Sequence, residues 1–265
     1  DTAIADYGIS ELQKQHERPF FLTLGFHKPH MPWNVPRKYY DLHPLDSIQL
    51  PPTKPDDLDD VPVAGVQMAA PDKDHAEILK SGRWKEAVQA YLAAISYLDA
   101  QVGRVLDALE KSRYHSNTII CLWGDHGWHL GEKDHWQKFT LWERSCRAPF
   151  LLHVPGMKSA GRDCRRVVEF LDMYPTLLDL CGLPPKAGLE GVSLKPLIDN
   201  PSLKWDRPAI TSNGADKITV RTERWRYSRY ADGEELYDEI EEVIRSGRFS
   251  RPVAVRGESV EVSWT

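Results

Sequence analysis

The chain has 265 residues, 41% hydrophobic and 28% charged, which is the make-up of an ordinary globular protein with one sizeable core or two small ones. Its 34 basic and 39 acidic side chains are well mixed and leave a formal charge of -5. This excludes a bulk electrostatic footprint for nucleic acid or an anionic membrane surface. No apolar run approaches the roughly 20 residues of a membrane span, and the first ten residues lack the basic-then-apolar layout of a signal peptide. A start at Asp1 rather than Met reads as a fragment or a processed chain.

In chain order, residues 9–15 are expected to be helical, and Arg18-Pro19 interrupts them before the apolar run Phe20-Phe21-Leu22-Thr23-Leu24-Gly25-Phe26. That run reads as a buried strand. It empties into His27-Lys28-Pro29-His30-Met31-Pro32-Trp33, where two prolines deny a helix and force an irregular loop. Residues 36–74 are rich in Pro and Asp and read as a long, mostly structureless excursion. The acidic run Asp56-Asp57-Leu58-Asp59-Asp60 lacks the glycine and distal Glu of an EF-hand loop, so it reads as a solvated face.

The clearest helix covers 84–110, where Val88, Tyr91, Leu92, Ile95, Leu98, Val102, Val105 and Leu109 recur at three- and four-residue spacing. Apolar strands are expected at 118–123 and 149–154, and a helix over 167–181 that Gly182 stops. Such strands alternating with helices fit a largely parallel α/β sheet covered on both faces. After Gly182 the alternating segments 218–222 and 225–230 read as antiparallel strands of a small second layer, and a short helix is expected near 240–245. Cys121, Cys146, Cys164 and Cys181 form no Cys-x-x-Cys pair; buried thiols are the simplest reading, although two of them can pair in an oxidising compartment. The only near-sequon, Asn200-Pro201-Ser202, carries the forbidding proline.

In open α/β sheets ligands sit beyond the carboxyl ends of strands. One strand delivers Gly124-Asp125-His126-Gly127, a carboxylate beside an imidazole. These are plausible divalent-metal ligands, or else a glycine-rich turn whose Asp bonds its own backbone. Another delivers His27-Lys28-Pro29-His30, where a histidine can protonate a leaving oxygen or hold an anionic ester; a solvated surface loop is the alternative. The segment Trp128 to Lys138 packs two indoles and two histidines among charges and reads as a site rim. Its histidines do not repeat the His-Glu-x-x-His spacing of a zinc protease.

The string Gly124-Asp125-His126-Gly127-Trp128-x-Leu130-Gly131-Glu132, followed by Trp136-x-Lys138, resembles the second signature region of type I, formylglycine-dependent sulfatases. So do Gly25-Phe26-His27-Lys28-Pro29-His30-x-Pro32, the helix with Ser96-Tyr97-Leu98-Asp99, and Leu171-Asp172-Met173-Tyr174-Pro175-Thr176-Leu177-Leu178-Asp179. The combination is most similar to iduronate-2-sulfatase and its bacterial relatives, from about Asp1 to Asp238.

The resemblance implies an alkaline-phosphatase-like α/β sandwich with a small C-terminal antiparallel subdomain. The boundaries would be 1–183 for the C-terminal part of the large domain, 184–238 for the subdomain and 239–265 for a divergent tail. It further implies Asp125 and His126 as ligands of a calcium ion, Lys138 on the sulfate, His27 near the leaving-group oxygen and Trp128 against the sugar. The partner would be a sulfated carbohydrate and the location extracytoplasmic.

Two departures stand against it. Paired aspartates completing the calcium site, and a Cys-x-Pro-Ser-Arg segment whose cysteine becomes formylglycine, do not occur in these residues. The chain alone is therefore expected to be an incomplete enzyme. Competing readings are a phosphomonoesterase or phosphodiesterase of the alkaline-phosphatase superfamily, and a non-catalytic binding module.

Overall fold

The computed structural model describes residues 1–239. In chain order its elements are α1 (Thr2–Gln13), α2 (Arg37–Tyr40), α3 (Val63–Ala69), α4 (Asp74–Ser81), α5 (Trp84–Glu110), β1 (Ile120–Trp123), β2 (His129–Leu130), β3 (Trp136–Gln137), α6 (Glu143–Cys146), β4 (Phe150–His153), α7 (Met173–Leu180), α8 (Lys195–Asp199), β5 (Ala209–Ser212), β6 (Ile218–Arg221), β7 (Trp225–Tyr230) and β8 (Gly233–Asp238). β1 pairs with β4, β2 with β3, and β5 to β8 form a four-stranded sheet in sequence order. The expected helix near 240–245, and all but the first residue of the expected tail, lie outside the described residues.

The chain divides into two compact units. The first comprises Asp1–Leu50, His75–Cys121 and Leu151–Pro155, and is organised on α5. Helix α1 packs along α5, and Ala5, Ala93 and Ala94 are fully buried, because methyl side chains let two helix backbones approach closely. The Thr2 and Tyr97 hydroxyls meet at 2.9 Å, and Arg104 donates to Asp6 at 2.5 Å. His43 contacts Ser96 at 2.8 Å and accepts through its carbonyl from Gln89 at 2.7 Å, holding the following loop on α5.

The second unit comprises Pro51–Asp74, Leu122–Phe150 and the chain from Gly156 on. Its sheet is an antiparallel meander, with Val220 opposite Tyr227 and Tyr227 opposite Leu236. Period-two alternation points Arg226, Ser228 and Tyr230 of β7 to the buried side, with Glu235 and Tyr237 of β8. That face carries much polarity, and its groups are satisfied: Tyr230 donates to Glu235 at 2.6 Å, Tyr237 does so too, and the Trp142 indole N–H reaches the same carboxylate at 3.3 Å. Val61, Ala69, Trp142 and Tyr237 form its apolar core, with Leu58 and Val66 packed on it.

Several expectations change. The apolar run 20–26 forms no strand, and Phe21 is 81% exposed; β-propensity makes a strand only where a ladder partner exists. Leu24 instead packs against Gly8 of α1. The excursion 36–74 is not structureless, since it carries α2, a 3-10 turn at Leu45–Ser47 and α3. Nor is its acidic run wholly solvated, because Asp57 is buried on Lys133 with Nζ–Oδ1 of 3.1 Å. Ile95 on the expected apolar stripe of α5 is 39% exposed. The expected helix 167–181 is a 3-10 turn at Phe170–Asp172 running into α7. All four cysteines are free, and Cys164 and Cys181 are exposed rather than buried.

Candidate active site

Strand β1 ends at Trp123 and delivers Gly124, Asp125, His126 and Gly127 into a loop braced on both sides. Gly124 N–H donates to the Pro149 carbonyl at 3.0 Å and Gly127 N–H to the Ser145 carbonyl at 2.8 Å. A Cβ at Gly127 would lie 1.9 Å from the Arg144 carbonyl oxygen and 2.5 Å from that of Arg147, so close backbone approach demands glycine there.

Between these glycines His126 Nδ1 lies 2.8 Å from the Gly127 carbonyl. A carbonyl only accepts, so Nδ1 carries the proton and Nε2 is the basic nitrogen. It is turned to Asp125, at 3.5 Å from Oδ2. Asp125 is 84% exposed and its carboxylate accepts no hydrogen bond among the described residues, so the self-capping turn is not what forms. A carboxylate oxygen and an imidazole nitrogen at this separation could both reach one divalent cation at metal–ligand distances of roughly 2.0–2.6 Å, and the Gly127 carbonyl would then orient the imidazole. Among the described residues no group of three or more His, Cys, Asp or Glu side chains is placed to hold a metal.

Trp128 stacks on His126, with ring centroids 6.0 Å apart and planes at 30°. Lys138 Nζ lies 5.9 Å from the Trp128 ring centroid and 5.5 Å from that of Phe139. Asp125, His126, Trp128 and Lys138 therefore follow one another within one unit, carboxylate to imidazole, imidazole to indole and indole to ammonium. Phe139 joins them at 66% exposure with φ 76°, a conformation unusual for a bulky residue.

The segment 129–140 is held from beneath. His129 is buried with Nδ1 3.1 Å from the Glu132 carbonyl and Nε2 3.3 Å from Thr140 Oγ1. Burial drives its pKa well below the usual histidine range, with His135 adding to the drop. Lys133 is buried against Asp57 and lies 5.0 and 5.2 Å from the Trp142 and Tyr237 ring centroids. Sequence reading named His135 and Lys133 only as parts of a dense segment and missed Phe139. The partners that define the first two are far along the chain.

His27 belongs to the other unit. Its loop has cis bonds before Pro29 and Pro32. The Asp1 carboxylate accepts from the His27 and Lys28 N–H groups at 2.7 and 3.1 Å. The imidazole is exposed, with Nε2 3.0 Å from the Met31 carbonyl and its ring 5.3 Å from that of His30.

Comparisons with known proteins agree with the motifs. The family profile "Sulfatase" matches residues 1–183, and "N-sulphoglucosamine sulphohydrolase, C-terminal" matches 131–243. A sulfatase of Formosa agariphila is 43% identical over 244 residues, covering 90% of this chain and 47% of that protein. Mouse iduronate 2-sulfatase is 34% identical over 212 residues, covering 66% of this chain and 38% of that protein. The chain thus spans about half or less of the length of these relatives.

Among solved structures, one in complex with its substrate D-glucosamine-2-N,6-O-disulfate matches with a TM-score of 0.73 at 21% identity, over 93% of this chain and 64% of that one. The phosphonate monoester hydrolase of Silicibacter pomeroyi matches at 0.78 and 22%, over 90% and 53%. These likenesses show the fold, an α/β architecture of the alkaline-phosphatase type with a small antiparallel C-terminal sheet. The profile match over most of the chain and the close Formosa relative decide the rest: the chain belongs to the sulfatase family.

Proposed function

We propose that the protein of which this chain is part is a sulfuric ester hydrolase acting on sulfated sugars, with a 2-O-sulfated uronic acid at a chain end as the preferred substrate. The observation that carries the reading is the linked set Asp125, His126, Trp128 and Lys138 in a family-matching segment. Asp125 and His126 would hold a calcium ion, which supplies Lewis-acid charge stabilisation at the ester oxygens. Lys138 offers an ammonium to the sulfate, where negative charge concentrates in the transition state. His27 would protonate the bridging oxygen as the sugar alkoxide leaves, and Trp128 offers an aromatic face to the sugar.

The fold is also that of a phosphonate monoester hydrolase, so fold alone does not separate sulfate from phosphonate esters. The family match and the Trp136-x-Lys138 segment favour sulfate. The test is a side-by-side assay of the full-length, formylglycine-bearing protein on sulfated uronates and on phosphate and phosphonate monoesters. Faster turnover of the phosphorus esters would reverse the assignment.

A further inference from the structure

His135 is 6% exposed and sits between two backbone carbonyls. Its Nδ1 is 2.7 Å from the Ala69 oxygen, at the end of α3, and its Nε2 is 2.9 Å from the Lys138 oxygen. Both oxygens can only accept. A neutral imidazole has a single N–H and satisfies one of them, leaving a ring lone pair against the other; an imidazolium satisfies both.

The surrounding backbone makes this contact consequential. Lys133, Asp134, Gln137 and Phe139 all have φ between 50° and 76°, so four non-glycine residues in seven occupy the left-handed region. Such conformations persist only where surrounding contacts over-determine them. Lys138 lies between two of these residues, and its own carbonyl is anchored by His135.

We propose that His135 is a positioning residue for Lys138: its ring ties the Lys138 carbonyl to the Ala69 carbonyl, through one donated bond when neutral and two when protonated. This rests on the reading of Lys138 as the sulfate contact. The charged and titratable groups facing the ring are His129 of β2, with centroids 5.0 Å apart, Glu132 in the connecting turn and Asp74 at the start of α4. Burial holds the His135 pKa below the usual histidine range, against the pull of the two carbonyls, Asp74 and Glu132. The second bond therefore forms only once the pH falls below the usual histidine range, and Lys138 is gripped more firmly there.

The test follows the histidine ring nitrogens and the Lys138 amide by proton–nitrogen NMR in the 265-residue chain, from about pH 8 to about pH 5. In the wild type both His135 nitrogens become protonated within the folded state, and the Lys138 and Phe139 amides shift with the same midpoint. In H135Q, whose amide supplies a donor without titrating, that pH dependence disappears while the fold persists. Should H135Q not fold, the wild-type titration decides by itself: protonation of His135 with no coincident change at Lys138 overturns the proposal.

Inorganic sulfate is the second probe. Its affinity in the wild type rises about fivefold across the midpoint, the scale of one net hydrogen bond, and stays flat in H135Q. A K138A chain that binds sulfate like wild type would remove the sulfate role of Lys138 and leave the coupled titration standing. Uncoupled titration with sulfate binding lost in K138A would do the reverse.

Discussion

At the scale of single residues, Lys133 shows how a buried charge is kept. It is 5% exposed and Asp57 4%, with Nζ donating to the Asp57 carbonyl and carboxylate at 3.0 and 3.1 Å. Lys133→Met would leave that carboxylate buried without its cation, so we expect a loss of about 3–5 kcal/mol in urea unfolding. The double variant Lys133→Met, Asp57→Asn should recover part of this, because the orphaned charge goes too. Asp57 was illegible in the sequence for a physical reason. It sits in a run of four like residues, and only a partner 76 positions away selects it for burial.

Asp125 and Lys138 are singled out by the sequence because each lies in a short motif next to a strand end, and their site roles are proposals. In the full-length enzyme Asp125→Ala should abolish turnover, since a hard-cation ligand is lost and the remaining acidic groups repel one another. Lys138→Ala should lower kcat/KM by about two to three powers of ten, the scale of losing one preorganised electrostatic contact. An Asp125→Ala enzyme retaining near-normal rates with added calcium would remove that residue from the metal site.

At the scale of elements, helices with a strong period were readable and short pieces were not. The apolar spacing over Trp84–Glu110 gives α5 at its full 27 residues. The run 20–26 has the composition of a strand, yet composition cannot supply a ladder partner, and the four-residue helix α2 carries too few residues to show a period. His135 illustrates the same limit within the site, because its Ala69 contact spans 66 positions.

The β2–β3 segment also carries a pH dependence. His129 and His135 both have pKa values lowered by burial from the usual 6.5, so both fold in the neutral form while the unfolded chain takes up protons near 6.5. Stability from this pair is complete above about pH 7. It falls as the pH drops from 6.5 toward the two folded-state pKa values, and does not change further below them. Urea midpoints measured over that window should decline, and His135→Gln should flatten part of the slope. The second Lys138 bond forms at the lower end of this window, where the folded His135 itself takes up a proton, and its local gain is smaller than the cost of charging a buried ring. A slope of opposite sign would mean the rings are protonated in the fold.

At the scale of the whole molecule, the residues proposed for catalysis are divided between two units of unequal chemical content. One holds the proposed calcium ligands, the sulfate contact and an aromatic face; the other holds His27. In the proposed roles these groups would bind and polarise a sulfate ester, and none of them is a nucleophile. Cys121 lies within β1, Cys146 precedes Arg147-Ala148-Pro149, Cys164 precedes Arg165, and Cys181 precedes Gly182-Leu183-Pro184, so none stands in the Cys-x-Pro-Ser-Arg pattern. The purified 265-residue chain should therefore hydrolyse no aryl sulfate or sulfated uronate, because positioning without attack does not cleave the ester. Turnover that is lost on Lys138→Ala would show that attack comes from within these residues.

The full-length protein is where substrate choice is decided. The proposal of a 2-O-sulfated uronate rests on the resemblance of the His27 and Lys138 motifs to those of iduronate-2-sulfatase. A sugar acid adds a carboxylate beside the sulfate, so its recognition needs a second cationic or hydrogen-bonding group, whereas an aromatic face such as Trp128 serves many pyranoses. The comparison that separates these is a panel of sulfated uronates, 6-O-sulfated hexosamines and choline sulfate at matched concentrations, read as kcat/KM. Sulfated uronates should lead, and Trp128→Ala should cost all sugar substrates more than choline sulfate, because choline presents no ring to stack. If a hexosamine or choline sulfate leads instead, the sugar assignment falls while the proposal of sulfate ester hydrolysis stands, because Lys138 and the metal ligands in their proposed roles would act on the ester and not on the alcohol it is joined to.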